Sequence, residues 1–170
     1  MTRKKIVIVL LTTILALACK QKPQEKKEVV KTEMVNFEQE KAAILNTLNS
    51  ETEAAFSRDY EAWQDKWVHD PKMTKVYINF ADSTFSESIG WDGISQFVKD
   101  YFVAHPEPEP VPELVDDIDV RLYGTGAWVI YEQQDALRGL KRETRLMEKV
   151  DGQWKIAGMR TTIYGSQADD

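Results

Sequence analysis

The chain is short of several things from which small functional domains are often built. It has one cysteine in 170 residues, Cys19, so no intramolecular disulfide can form. It has two histidines and no Cys/His cluster with metal-ligand spacing, so neither a metal nor another cofactor is expected. No internal repeat and no heptad is visible, which excludes solenoids and long coiled coils. After the first eighteen residues, no stretch is long and apolar enough to cross a bilayer. Positive charge is scarce as well. The 22 Lys and Arg, less Arg3, Lys4 and Lys5 of residues 1–18, leave 19 against 28 acidic side chains, a balance of about −9 that argues against a nucleic-acid partner.

What the chain does hold is aromatic mass. Five tryptophans, six tyrosines and six phenylalanines supply large apolar area for a core or for a pocket inside it. A globular part of ~130 residues buries roughly two-thirds of the surface that its unfolded chain exposes, enough for a core without staples.

The N-terminus stands apart from the fold. Arg3, Lys4 and Lys5 form a basic start, and Ile6 to Ala18 is an uncharged apolar run too short to span a bilayer, the pattern of a signal peptide. Leu15-Ala16-Leu17-Ala18-Cys19 resembles the lipobox of bacterial lipoproteins, with alanine instead of the more usual leucine three places before the cysteine. That resemblance implies cleavage after residue 18 and lipid attachment at Cys19. Lys20 to Val35 holds Lys, Gln, Glu and Pro with few large apolar residues, so residues 19–36 are expected to be a disordered tether. No aspartate follows Cys19, which in lipoproteins of Gram-negative bacteria implies passage to the outer membrane. The expected location is the cell envelope, with the membrane touched through the lipid alone.

Residues 37–164 read as one domain, and 165–170 as a frayed tail. From Phe37 to Arg58, Ile44, Leu48, Ala55 and Phe56 recur at helical spacing. Asp59 caps a second helix, Tyr60 to Val68, with Trp63 and Trp67 on one face and Pro71 as its stop. Thr74 to Phe80 alternates as a strand, Ala81 to Gly90 is polar and turn-rich, and Asp92-Gly93 caps a third helix, Ile94 to His105. A stiff connector with prolines at 106, 108, 110 and 112 follows, then a strand around Ile118 to Leu122. The last forty residues hold three long strands, and Asp151-Gly152 makes the tight reversal between the final two. Strands in succession after helices imply an α+β fold, with helices on one face of a mainly antiparallel sheet.

This order, with Trp67-Val68-His69-Asp70-Pro71, Ile89-Gly90-Trp91-Asp92-Gly93-Ile94, Ala127-Trp128-Val129 and Glu148 to Ile156, resembles the nuclear transport factor 2-like superfamily, and within it the SnoaL-like bacterial branch. The resemblance covers Phe37 to Tyr164. It implies a cone of three N-terminal helices packed on a curved sheet, an interior pocket, and often a homodimer through the outer sheet face. It does not imply one function. On the catalytic pattern of ketosteroid isomerase, the positions of the tyrosine, the base and the acid hold Thr52, Lys75 and Leu146, none of which can do those jobs.

Among the residues that could carry chemistry, His69 beside Asp70 has the composition of a general base, and Glu132 is a carboxylate on the strand of Trp128 and Ile130. Arg145 on the next strand is placed to pair with an acid and orient a polar ligand. Trp67, Tyr77, Trp91 and Trp128 are the expected pocket walls. The leading expectation is a lipid-anchored domain binding a small, largely apolar molecule. The alternatives are an isomerase, dehydratase or cyclase-like enzyme using His69 or Glu132 as acid or base, and a dimerising interaction module.

Overall fold

In a computed structural model, residues 36–135 and 139–165 are described. The expected signal peptide, Cys19, the tether up to residue 35 and the tail from 166 lie outside the described residues.

Helix α1 spans Phe37–Phe56 and begins where the Asn36 side chain accepts a hydrogen bond from the Gln39 backbone N–H, with Glu38 and Glu40 in the first turn. Ile44 and Leu48, four apart, are buried in the core. Helix α2, Tyr60–Asp65, is capped by Asp59, whose carboxylate accepts from Ala62 N at 2.9 Å. It ends three residues before the expected Val68. The backbone that would have continued it is taken by the last strand: Ile156 N donates to Lys66 O at 2.8 Å, and Val68 N to Ile156 O at 2.9 Å. Trp67 is thereby held in a bridge to Ile156.

Strand β1 is Thr74–Asn79, and β2 is Thr84–Ile89, where the sequence had read only turns. β2 shows no buried face, so no apolar alternation revealed it; backbone pairing with β1 holds it at the sheet edge. Helix α3, Gly90–Ala104, starts at Gly90, earlier than the expected Asp92-Gly93 cap. Gly90 has φ +70°, and a Cβ there would lie 2.9 Å from Pro71 O, so the position requires glycine. The proline-containing connector is strapped onto α1. Asn49 Nδ2 donates to Val115 O at 2.8 Å and Val115 N to Asn49 Oδ1 at 3.1 Å, while Glu109 N donates to Phe56 O at 2.9 Å.

The remaining strands are β3 (Asp119–Tyr123), β4 (Gly126–Asp135), β5 (Gly139–Val150) and β6 (Gln153–Gly165). Gly165, expected in the tail, ends β6. The six strands run in the order β2-β1-β6-β5-β4-β3, and every pair is antiparallel except β1 with β6. The fold is α+β, three helices on one face of a mixed, mainly antiparallel sheet.

Which side chains meet the helices is decided on β5 and β6. On β5 the buried residues are Glu143, Arg145 and Met147; on β4 they are Ala127, Val129 and Tyr131. On β6 the parity changes along the strand. Trp154 and Ile156 are buried, then Met159, Thr161 and Ile163, because the register slips by one residue where Leu146 pairs with Gly158 and Met147 with Ile156. On β1, Lys75 is buried, while Val76 and Ile78 share the opposite face with Phe80, Phe85 and Ile89. That opposite face is the open one. It carries Trp128, Leu146 and Tyr164, each more than two-fifths exposed, and no described helix packs on it.

Candidate functional site

Strand pairing sets two rows across the covered face. One runs Lys75, Met159, Arg145, Val129, and its neighbour runs Tyr77, Thr161, Glu143, Tyr131. The rows put four ionisable side chains in the interior, where Lys75 is 6 % exposed and Arg145 and Glu143 are each 5 % exposed. Burial of charge at this depth requires partners. Glu143 Oε2 accepts from Thr161 Oγ1 at 2.7 Å and lies 3.4 Å from an Arg145 terminal nitrogen. Arg145 also donates through Nε and Nη2 to the Tyr131 hydroxyl, each at 3.4 Å. From α1, the buried Glu51 accepts from Trp63 Nε1 at 2.7 Å.

Burial pushes the Tyr131 hydroxyl up to about 12, against the opposing charge of Arg145. For Arg145 burial acts against the charge, and Tyr131, Glu143 and Glu51 outweigh it, holding the guanidinium above its ordinary value.

Lys75 occupies a box of four rings. Its Nζ lies 5.5 Å from the Trp63 ring, 5.4 Å from Trp67, 5.6 Å from Tyr77 and 5.6 Å from Phe97. The tryptophans are packed tightly, with Trp63 tilted against Trp67 at 5.4 Å and stacked on Trp91 at 5.8 Å. The other two walls are looser, Tyr77 being half-buried and Phe97 39 % exposed. Two donors in this interior have no hydrogen-bond partner among the described residues, Trp67 Nε1 and Arg145 Nη1.

Of the residues singled out from the sequence, Trp67, Tyr77 and Arg145 lie on the covered side, and Trp91 joins them through Trp63. Trp128 does not. It is 44 % exposed on the open face, because Trp128, Ile130 and Glu132 share a parity opposite to that of Val129 and Tyr131. Glu132 is exposed with them and accepts from Arg142 Nε at 3.0 Å and Nη2 at 2.7 Å, so its partner is a surface arginine and not Arg145. His69 is exposed, stacks on Trp91 at 3.8 Å and points Nε2 at Gln64 O, 3.1 Å away. A carbonyl can only accept, so in that contact Nε2 is the donor and Nδ1 is the ring's remaining acceptor. His69 and Glu132 sit on different sides of the sheet and share no reaction centre.

Sequence reasoning missed Lys75, Glu51, Glu143 and Thr161 as members of the site. The alternation of β1 was visible, but it was Lys75 and Tyr77, and not Val76 and Ile78, that faced the helices. Two grooves on the described surface lie elsewhere. One of about 410 Å³ runs beside Asp117, Asp119, Ile130 and Arg142, and one of about 420 Å³ lies between α1 and the β5–β6 hairpin. In the second, Glu40 is pulled below the usual carboxylate range by hydrogen bonds from Lys149 and Trp154 Nε1, the latter at 2.6 Å.

The Tyr131 environment has a measurable consequence. Its folded-state value lies above the ordinary 10, so its contribution is fully present below pH 10 and is lost as pH rises through about 12. Two units correspond to at most about 2.7 kcal/mol of stability. Urea unfolding of the described domain between pH 9 and 12 is expected to show a steeper fall for the natural chain than for Tyr131→Phe. Equal slopes would contradict a buried, protonated Tyr131.

No family model matches the chain, and no curated protein matches it in sequence. Solved structures do match. A nuclear transport factor 2-like protein of unknown function from Shewanella baltica aligns at 19 % identity and a TM-score of 0.55, covering 76 % of this chain and 98 % of that one. A nuclear transport factor 2-like superfamily protein from Salmonella enterica aligns at 13 % identity and 0.56, covering 79 % and 96 %. A cystatin-like fold protein from Burkholderia xenovorans aligns at 19 % and 0.56, covering 74 % and 92 %. Likeness at these identities is likeness of architecture, and the chain has the nuclear transport factor 2-like fold.

Proposed function

We propose that this protein is a lipid-anchored binding protein of the bacterial cell envelope that takes a small, largely apolar molecule between its covered sheet face and its helices. The observation that carries the reading is the four-ring box formed by β1, α2, the Trp67 bridge that follows it, and α3. Two of its walls are locked by packing, and two, Tyr77 and Phe97, remain partly open to solvent. Rings with a few convergent polar groups are the usual material of ligand sites. The flexible stem of Lys75 fills the box, so a ligand enters along the Phe97 side and shifts that stem. Acid or base chemistry by His69 or Glu132 finds no support in their positions.

A second reading concerns the open face. Trp128 and Leu146 are paired across β4 and β5 and both exposed, with Phe80 stacked on Tyr164 at 6.0 Å further along. An apolar sheet face of this kind fits an interface between two copies of the chain.

Three outcomes are expected. The neutral fluorescent probe N-phenyl-1-naphthylamine brightens on binding the natural domain, and Phe97→Asp weakens that binding about tenfold or more, in line with burying a charge in an apolar site. The same loss with Trp128→Ser in place of Phe97→Asp would move the site to the open face and overturn the reading. Sedimentation of the natural domain gives a dimer that the double change Trp128→Glu, Leu146→Glu converts to monomer; a monomeric natural domain removes the second reading. In a bacterial host, the full chain incorporates labelled palmitate and Cys19→Ser does not; labelling that survives the change rules out Cys19 as the anchor.

A further inference from the structure

We propose that the interior site selects a monocarboxylate carried on an apolar body, with Arg145, Lys75 and Trp67 Nε1 as the groups that receive the carboxylate. The proposal rests on the binding reading above and adds the ligand's chemical class. It starts from a count of donors against acceptors in the interior. The acceptors are engaged: Glu51 by Trp63 Nε1, Glu143 by Thr161 and Arg145, and the Tyr131 oxygen by Arg145. The donors are in excess. Arg145 Nη1 and Trp67 Nε1 have no partner among the described residues, and the Lys75 ammonium is set among four ring faces, at 5.4 Å to 5.6 Å. Buried polar atoms in native proteins are nearly always matched, so an interior with two buried donors to spare, and an ammonium set among ring faces beside them, is complementary to an acceptor.

Register brings the three within one ligand's reach. Lys75 and Arg145 flank Met159 in a single row of β1, β6 and β5, so their α-carbons are two strand spacings apart, about 10 Å, and both side chains are on the covered face. The Lys75 ammonium is itself against the Trp67 ring. The contacts that Arg145 does make are long, 3.4 Å to Glu143 and to Tyr131, so its planar fork is held in place without being saturated. A guanidinium edge fits the two oxygens of a carboxylate. Charge sets the limit. Glu51 and Glu143 already face the same interior, so a single negative charge is accommodated between the two cations, whereas a dianion meets two carboxylates.

The test uses three ligands of one shape, 4-phenylbutyrate, 4-phenylbutanol and 4-phenylbutylamine, titrated calorimetrically into the natural domain at pH 7. The acid is expected to bind at least about tenfold more tightly than the alcohol, with the amine weakest. Lys75→Met keeps the stem's bulk, and Trp67→Phe keeps a ring while removing the N–H. Each is expected to cut the acid's affinity by about three- to tenfold more than it cuts the alcohol's, so that the preference for the acid shrinks by that factor. Circular dichroism melting of both variants identifies any that fail to fold, and the ligand comparison on the natural domain stands without them. Acid and alcohol binding equally, or an acid preference untouched by either folded variant, overturns the carboxylate assignment and leaves the binding reading standing. If none of the three binds and the neutral naphthylamine probe also fails, the binding reading itself falls. Tighter binding of 4-phenylbutylphosphonate as its dianion than of the acid overturns the restriction to a single charge.

Discussion

The interior of this protein depends on one irregularity of pairing. Between Ile156 and Met159, strand β6 uses one residue more than β5, so that Met147 pairs with Ile156 and Leu146 with Gly158. Side chains on a strand alternate with period two, and a slip of one exchanges the faces. Before the slip Trp154 and Ile156 point to the helices; after it Met159, Thr161 and Ile163 do. Unbroken alternation would have buried Arg160, Thr162 and Tyr164 in their place. Gly158 sits at the slip, where a Cβ would make ordinary van der Waals contact with Leu146 Cβ at 3.6 Å and Thr74 O at 3.7 Å. The parallel pairing of β1 transmits the result one strand further. Met159 opposes both Lys75 and Arg145, and Thr161 opposes both Tyr77 and Glu143. Both rows of the site therefore inherit their position from the same extra residue.

Arginine and glutamate meet twice across this sheet, with different physical meaning. Arg142 and Glu132 pair on the open face at 2.7 Å, both about half exposed, in a geometry that solvent screens. Arg145 and Glu143 meet at 3.4 Å with both side chains 6 % exposed. The shorter contact is the weaker determinant of the fold. Ions taken out of water lose several kcal/mol each in solvation, and attraction between them repays that only when their other lone pairs and protons are also met. Glu143 is met by Thr161, and Glu51 by Trp63, but Arg145 is met only in part. An interior arranged in this way holds the carboxylates firmly and leaves the cations available, the asymmetry on which the proposed selectivity rests.

Much of the architecture was legible in the sequence because it is written in local signals. Asp59 caps a helix where its side chain reaches the following turn, and Asp151-Gly152, at φ +50° and +82°, makes the reversal between β5 and β6. The helical spacing of Ile44 and Leu48 marks a core face. The site was less legible, for a reason that is itself structural. Period-two patterns show that a strand has two faces without showing which one is covered. On β1 the more apolar set, Val76 and Ile78 with Phe80 just beyond, is on the open side while Lys75 is inside, and on β5 Glu143 and Arg145 are inside while Leu146 is outside. Hydrophobicity was therefore a poor guide to burial here. β2 was missed because an edge strand with no buried face has no apolar signature at all.

That inversion bears on how so small a domain could serve two purposes. A sheet with one covered face usually keeps polar residues on the other, yet this one places Trp128, Leu146, Phe80 and Tyr164 where water meets them. Strand parity puts Tyr77 on the helix side and Trp128 and Tyr164 opposite, while Trp63 and Trp67 reach the covered face from α2 and the segment after it. A change of register in any one strand exchanges its two faces, so it would alter both surfaces at once. The slip at Gly158 is what reconciles them: it lets β6 bury Trp154 beneath α1 at one end and present Met159 and Thr161 to the site at the other, while Leu146 stays outside opposite Trp128. The covered and open faces are in this way coupled through one backbone register, and neither can be understood from the composition of a single strand.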